Sequence, residues 1–162
     1  MKFSQKGAMF GLDARIALAI FGALSVITGA ALYSAIKDSK IVAIVTELDN
    51  VGKAVTSFYL DTGVYPSSNL TDIFLDAEQM VVDPTIIGWN GPYVSFEDST
   101  TAKYLDHSIY TNVALIGMLD GVAWNPVVAS ETGKCLNASA TCSVYACLNG
   151  LPDDLKIGLD LK

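Results

Sequence analysis

Residues 16–36 run for 21 positions without a charge. Wound as an α-helix at about 1.5 Å per residue, that run reaches roughly 31 Å, enough to cross the hydrocarbon core of a bilayer. The pattern then changes. Ile41, Ile44, Leu48, Val51, Val55 and Phe58 recur at spacings that alternate between three and four, and Lys40, Glu47, Asp49 and Lys53 fall mostly off that stripe. Such spacing predicts an amphipathic helix with one buried face. No proline occurs before Pro66, so nothing forces a break between the two patterns. Together they predict one helix of about 45–50 residues, roughly 70 Å long. Its first half is apolar all round and needs partners on every side; its second half needs them on one side only.

The helix is predicted to stop at Asp61-Thr62-Gly63, with Gly63 as its C-cap. Residues 70–80 read as a short helix with Thr71 at the N-cap. Beyond Tyr93 the period shortens to two, with polar breaks. Strands are predicted near 104–109, 113–118, 121–128 and 142–148. Asp120-Gly121, between the second and third of these, favours the primed turn of a hairpin. The expected fold is α+β: a long N-terminal α-helix packed through its amphipathic half on a small C-terminal antiparallel β-sheet. A chain of 162 residues suits one compact domain with appendages. It shows no internal repeat and no low-complexity linker.

Composition narrows the chemistry. Net charge is −7, from 10 Lys and Arg against 17 Asp and Glu. Without a basic cluster, the chain is a poor candidate for a dedicated nucleic-acid binder, and no nucleic-acid partner is expected. The cysteines, Cys135, Cys142 and Cys147, form no CxxC pair, and the single histidine, His107, is remote from them in sequence. That spacing argues against zinc. A disulfide formed in an oxidising compartment suits it better and leaves one thiol over. Cys135 with Cys142 would close a small loop worth roughly 2–3 kcal/mol by chain entropy; Cys135 with Cys147 is equally allowed. No phosphate loop, HExxH or GxSxG is present, and no nucleophile motif stands near His107, which reads as a surface or strand histidine. The expectation is a protein that is not an enzyme. Asn69-Leu70-Thr71 and Asn137-Ala138-Ser139 match a glycosylation pattern that is frequent by chance.

The first residues, Met1-Lys2-Phe3-Ser4-Gln5-Lys6-Gly7-Ala8, are polar and carry two lysines; Met9-Phe10-Gly11-Leu12-Asp13-Ala14-Arg15 leads into the apolar run. An ordinary secretory signal is cut after its apolar region. Here the small residues Gly7 and Ala8 precede it, so a cut there would remove the basic leader and leave the helix. This arrangement resembles the class III signal peptide of the type IV pilin superfamily. A cut after Ala8 makes Met9 the first mature residue, Asp13 the fifth and Gly22 the fourteenth, matching the family's acidic and glycine positions in one register. A cut after Gly7 loses both matches. Two further strings, Tyr59-Leu60-Asp61-Thr62-Gly63-Val64-Tyr65-Pro66 and Trp89-Asn90-Gly91-Pro92-Tyr93, resemble segments of type II secretion major pseudopilins and related pilins, in the family's order. The sequence departs from the family at Arg15, where an apolar residue is usual, and at Ala30, where many pilins carry a helix-kinking proline. Gly22, Gly29 and the Thr28 hydroxyl are the softening elements left.

The resemblance implies the pilin fold. It implies a cleaved leader at 1–8, a membrane-spanning and later filament-core half at 9–37, and a periplasmic or extracellular head at 38–162 that includes the amphipathic half to about residue 61. It implies cleavage between Ala8 and Met9 by a prepilin peptidase, N-methylation of Met9, and pairing of Asp13 with the Met9 amine of an adjacent chain. A carboxylate at the centre of a membrane helix costs about 2.5–3.5 kcal/mol on insertion scales, so such a partner has a physical role. Arg15 shares no face with Asp13; it would meet a carboxylate of another subunit or snorkel to the headgroups. The implied function is a structural subunit of a homo-oligomeric helical filament, a type IV pilus or a type II secretion pseudopilus. It would start as a single-pass protein of the bacterial inner membrane and be drawn from an assembly platform there. Pilins often staple a C-terminal loop with a disulfide, and major pseudopilins bind calcium in one. Asp153, Asp154 and Asp160 do not match that calcium pattern, so a solvated acidic tail and no cofactor are expected. The alternatives are a single-pass anchored periplasmic binding domain that never polymerises, and a minor or tip pilin with an adhesive head.

Overall fold

The structure, a computed structural model, describes residues 8–68, 73–121, 135 and 141–160. Its elements are α1 (Ala8–Thr62), a 3-10 helix (Ala77–Met80), β1 (Glu97–Asp98), β2 (Tyr104–Asp106), β3 (Asn112–Leu119), β4 (Cys142–Asn149) and a terminal helix, α2 (Asp153–Asp160). The chain divides into two units, Met1–Val42 and Ala43–Lys162, and α1 contributes residues to each.

In the first unit, every side chain at positions 11–36 is exposed. Leu18, Phe21 and Val26 are 70, 71 and 73% accessible. These values matter because large apolar residues on all sides of a helix are left uncovered by the chain itself. The helix is long and apolar enough to cross a membrane. It continues without a break through Gly22 and through 28–30. Thr28 Oγ1 donates back to the carbonyls of Leu24 and Ser25 at 2.8 and 3.2 Å, which satisfies the hydroxyl inside an apolar stretch.

In the second unit, the predicted stripe is the buried face of α1. Ile44, Val51, Val55 and Phe58 are buried, as is Ile41 just before the unit begins, and Leu48 is half-buried. Val51, Ala54, Val55 and Phe58 pack with Leu75, Ala77, Met80, Leu105, Val113 and Leu115. The amphipathic half of α1 thus lies on one face of the sheet. Gly63, at φ +74°, ends the helix, and its N–H reaches the Tyr59 carbonyl at 2.8 Å, the left-handed cap expected there.

The sheet is antiparallel in the order β1-β2-β3-β4. All of β3 from Val113 to Met118 is buried, because both of its faces are covered. Val113 and Leu115 face α1, while Ile116 and Met118 pack with Ile73, Phe74 and Cys147.

Three expectations change. Over 70–80 only Ala77–Met80 is helical; positions 70–72, with the proposed Thr71 cap, lie outside the described residues. The reason is tertiary: Leu75 N–H donates to the Leu115 carbonyl, and Gly117 N–H to the Ile73 carbonyl, both at 2.9 Å. Those bonds hold Ile73–Leu75 extended along β3, past the end of β2. The hairpin at Asp120-Gly121 is the second change. Leu119 pairs with Cys142, and Asp120 N–H donates to the Thr141 carbonyl at 3.0 Å. With β4 on one edge of β3 and β2 plus Ile73–Leu75 on the other, no edge is left for a strand across that turn; Gly121 still turns, at φ +82°. Positions 122–128 lie outside the described residues. Third, the strand predicted over 104–109 stops at Asp106, where His107 organises a turn. The tail, expected to be acidic and solvated, has Asp153 and Asp154 exposed in the first turn of a helix seated by buried Leu155.

Candidate functional site

Helix α1 begins at Ala8, so Met9, Asp13, Arg15 and Gly22 all lie on it. Asp13 and Arg15 are exposed. Two residues apart on a helix, they stand about 160° from each other around the axis and address different neighbours. Among the described residues neither forms an ion pair. A Cβ added at Gly22 would meet nothing within 4 Å, and the same holds at Gly11 and Gly29. At 100° per residue these three glycines fall within about 20° of one line along the helix. Packing inside the chain requires none of them, although a glycine in a helix interior costs about 0.5–1 kcal/mol relative to alanine. Sequence reasoning singles out Gly22 for the family position and Gly29 only as a softening element; Gly11 and Gly29 join Gly22 through spacings of eleven and seven, a signal readable without coordinates.

In the head, the two strings at the helix exit and around Trp89 come together. Tyr93 OH donates to Asp61 Oδ2 at 2.9 Å and accepts the Asn90 N–H at 3.0 Å. The Tyr93 ring meets Phe58 and Trp89 edge-on, at centroid distances of 5.5 and 6.0 Å. Trp89 Nε1–H donates to the Gln79 carbonyl at 2.9 Å, and Tyr93 N–H to the Met80 carbonyl at 2.8 Å. Gly88, at φ +92°, lies so close to α1 that a Cβ would overlap the Asp61 carbonyl oxygen. Burial raises the Tyr93 phenol pKa, the Asn90 N–H opposes the rise, and the Asp61 carboxylate adds to it. These contacts clasp the loop 88–93 to the end of α1.

His107, read from the sequence as a surface or strand histidine, directly follows β2 and is not a surface residue. Its side chain is 3% exposed, with the ring beside Phe96 and Tyr110. Nδ1 accepts the N–H groups of Ile109 and Tyr110 at 3.0 and 2.9 Å, and Nε2 lies 3.1 Å from Glu47 Oε1 on α1. An Nδ1 that accepts two N–H groups carries no proton, so the proton sits on Nε2 and is donated to Glu47. The ring closes the turn after β2 and ties it to the helix. Sequence reasoning misses it because Glu47 and His107 are 60 positions apart.

Of the three possible cysteine pairings the structure has Cys135 with Cys142, Cα atoms 6.0 Å apart, inside the range a disulfide spans. Cys142 and Cys147 stand five apart on β4 and therefore face opposite sides of the sheet. Cys142 is on the side of α1, where Cys135 lies over Gly117. Cys147 is left half-buried among Ile116 and Met118, and burial pushes its thiol up. Among the described residues no three His, Cys, Asp or Glu side chains converge as a metal site. No known protein family, curated protein or solved structure matches the chain.

Proposed function

We propose that the chain is a filament subunit of the type IV pilin kind, with the pilin fold. It starts as a single-pass protein of the bacterial inner membrane and polymerises through the first half of α1 into a pilus or a secretion pseudopilus. The observation that carries this reading is the exposure of residues 11–36 on every side of the helix. Lipid covers those side chains before assembly, and the helices of other copies cover them afterwards. A membrane anchor alone would account for the apolar surface but for neither of two other features. Asp13 sits at the edge of the apolar run and gains from a cation on another chain, for which the Met9 amine in the Ala8/Met9 cleavage register is suited. The line of Gly11, Gly22 and Gly29 lets a second backbone approach closely, which is how helices pack where the hydrophobic effect gives no preference between lipid and protein.

The test is the mass of the native N-terminus. Cleavage after Ala8 by a prepilin peptidase gives a mature chain that begins at Met9 and carries an added methyl group. An N-terminus at Met1, uncleaved and unmethylated, would overturn the reading in favour of a plain anchor.

A further inference from the structure

The turn between β2 and β3 hangs on one nitrogen atom. The backbone bond that closes it, His107 N–H to the Thr111 carbonyl, measures 3.5 Å, beyond the usual length of an N–H···O bond. The shorter bonds come from the ring, whose Nδ1 accepts the Ile109 and Tyr110 N–H groups at 3.0 and 2.9 Å. Ile109 is 79% exposed, so burial adds little to hold the tip. Just beyond it, Thr111 N–H donates to the Asn149 carbonyl of β4 at 3.0 Å, which confines any opening to residues 108–110.

Nδ1 is also the one place where this tautomer can take a proton. With protons on both nitrogens the ring has two donors and no acceptor, and the Ile109 and Tyr110 N–H groups face a third N–H. The other edge of the ring responds in the opposite sense. Nε2–H already lies 3.1 Å from Glu47 Oε1, and a carboxylate holds an imidazolium more tightly than a neutral ring. Proton uptake therefore releases the turn while the ring stays on α1.

The charges near the ring are all negative. Glu47 of α1 is in direct contact, and Glu97 of β1 and Asp106 of β2 border the same crevice, which no Lys or Arg lines. Glu97 and Asp106 pair directly with each other, next to Leu105, which packs toward α1. Their side chains thus point to the opposite face of the sheet and act on the ring only at longer range. Asp98 stands opposite Leu105, one pair further along. The remaining neighbours, Phe96 and the phenol of Tyr110, carry no charge.

We propose that residues 107–111 form a proton-operated latch, closed while His107 is neutral and opened at 108–110 when Nδ1 is protonated, with the ring still held by Glu47. The latch lies wholly in the head and does not depend on the filament reading.

His107 is the only histidine of the chain, so its ring signals are unambiguous. The full-length chain, labelled with nitrogen-15 in a zwitterionic detergent, is followed by NMR from about pH 8 to about pH 4.5, which spans the ordinary histidine range. Amide exchange is read as protection relative to an unstructured peptide at the same pH. Protection of the Ile109 and Tyr110 N–H groups is expected to fall about tenfold or more in step with protonation of the ring, while that of β3 is unchanged. His107→Asn supplies a side-chain acceptor that takes no proton in this range and is expected to keep protection independent of pH. Glu47→Gln keeps an acceptor without the charge and is expected to move the opening to lower pH. The proposal is overturned if the ring takes its proton with both amides still protected, or if it stays neutral over the whole range. Loss of protection out of step with the ring, or the same loss in His107→Asn, would equally overturn it.

Discussion

Replacing His107 with alanine tests how the head is held to its helix. The substitution removes the acceptor for the Ile109 and Tyr110 N–H groups and the donor to Glu47, and it empties the space of a ring only 3% exposed. At a net 0.5–1.5 kcal/mol per hydrogen bond, with the Ile109 N–H regaining water and some ring packing against Phe96 and Tyr110 lost, the cost is about 2–4 kcal/mol. Glu47→Ala removes one of those bonds. The Glu47 side chain is 37% exposed, so water can reach the freed Nε2–H, and the cost falls to about 0.5–1.5 kcal/mol. Glu47→Gln keeps an acceptor in place and is expected to cost less still. For a unit of this size each kcal/mol shifts the melting temperature by about 4 °C. Thermal unfolding of the head, followed by near-ultraviolet circular dichroism with the disulfide intact, should place the His107→Ala midpoint about 8–16 °C below the unaltered protein, and Glu47→Ala about 2–6 °C below. Nitrogen-15 NMR of the ring should show the neutral tautomer protonated on Nε2. A proton on Nδ1, or a His107→Ala midpoint no lower than that of Glu47→Ala, would refute this assignment.

Three other outcomes are expected. The Tyr93 phenol is held above its ordinary value of 10.0, first by burial and also by Asp61, so the folded chain keeps that proton longer than the unfolded chain. The stability linked to it is intact below the ordinary value and is lost as pH rises through the raised one; Tyr93→Phe should flatten the alkaline limb of stability against pH, and an unchanged limb would contradict the linkage. Gly88→Ala, where a Cβ would overlap the Asp61 carbonyl at a positive φ, should cost about 3 kcal/mol or more. Gly63→Ala, with the same sign of φ but open space around it, should cost only about 1–2 kcal/mol in the same urea titration. Replacing Cys135 and Cys142 together by serine opens a loop with a separation of seven and should lower stability by about 2–3 kcal/mol, whereas Cys147→Ser should leave the disulfide in place on a non-reducing mass measurement.

What could be read from the sequence was local. The alternating spacing from Ile41 to Phe58 identified the buried face of α1, Gly63 its end, and the period of two the strands β3 and β4. Three features were set by partners far away in the chain. Ile73–Leu75 is extended because the Leu115 carbonyl and the Gly117 N–H lie alongside it, and no pattern within 70–80 carries that information. Asp120-Gly121 has the chemistry of a tight hairpin, yet β4 starts at Cys142 and fills the edge that such a hairpin would need. His107 read as a surface or strand residue because its acceptor sits on α1, 60 positions away. The choice among cysteine pairs was half-legible: period two separates Cys142 from Cys147, but which of them Cys135 meets depends on its position over Gly117. In the first half of α1, Asp13 and Gly22 were picked out by the register of the resemblance. The line Gly22 shares with Gly11 and Gly29 needed helical phase and nothing more.

Filament formation by the Asp13→Ala variant is the most direct measurement of what the first half of α1 does. Native and variant chains are expressed with the same processing peptidase and assembly platform, and the products are imaged by negative-stain electron microscopy. If Asp13 pairs with the Met9 amine of an adjacent chain, the native protein forms filaments, and the variant stays in the membrane fraction, cleaved and folded, without forming them. Normal filaments from Asp13→Ala, or none from the native chain under those conditions, would contradict polymerisation through this helix.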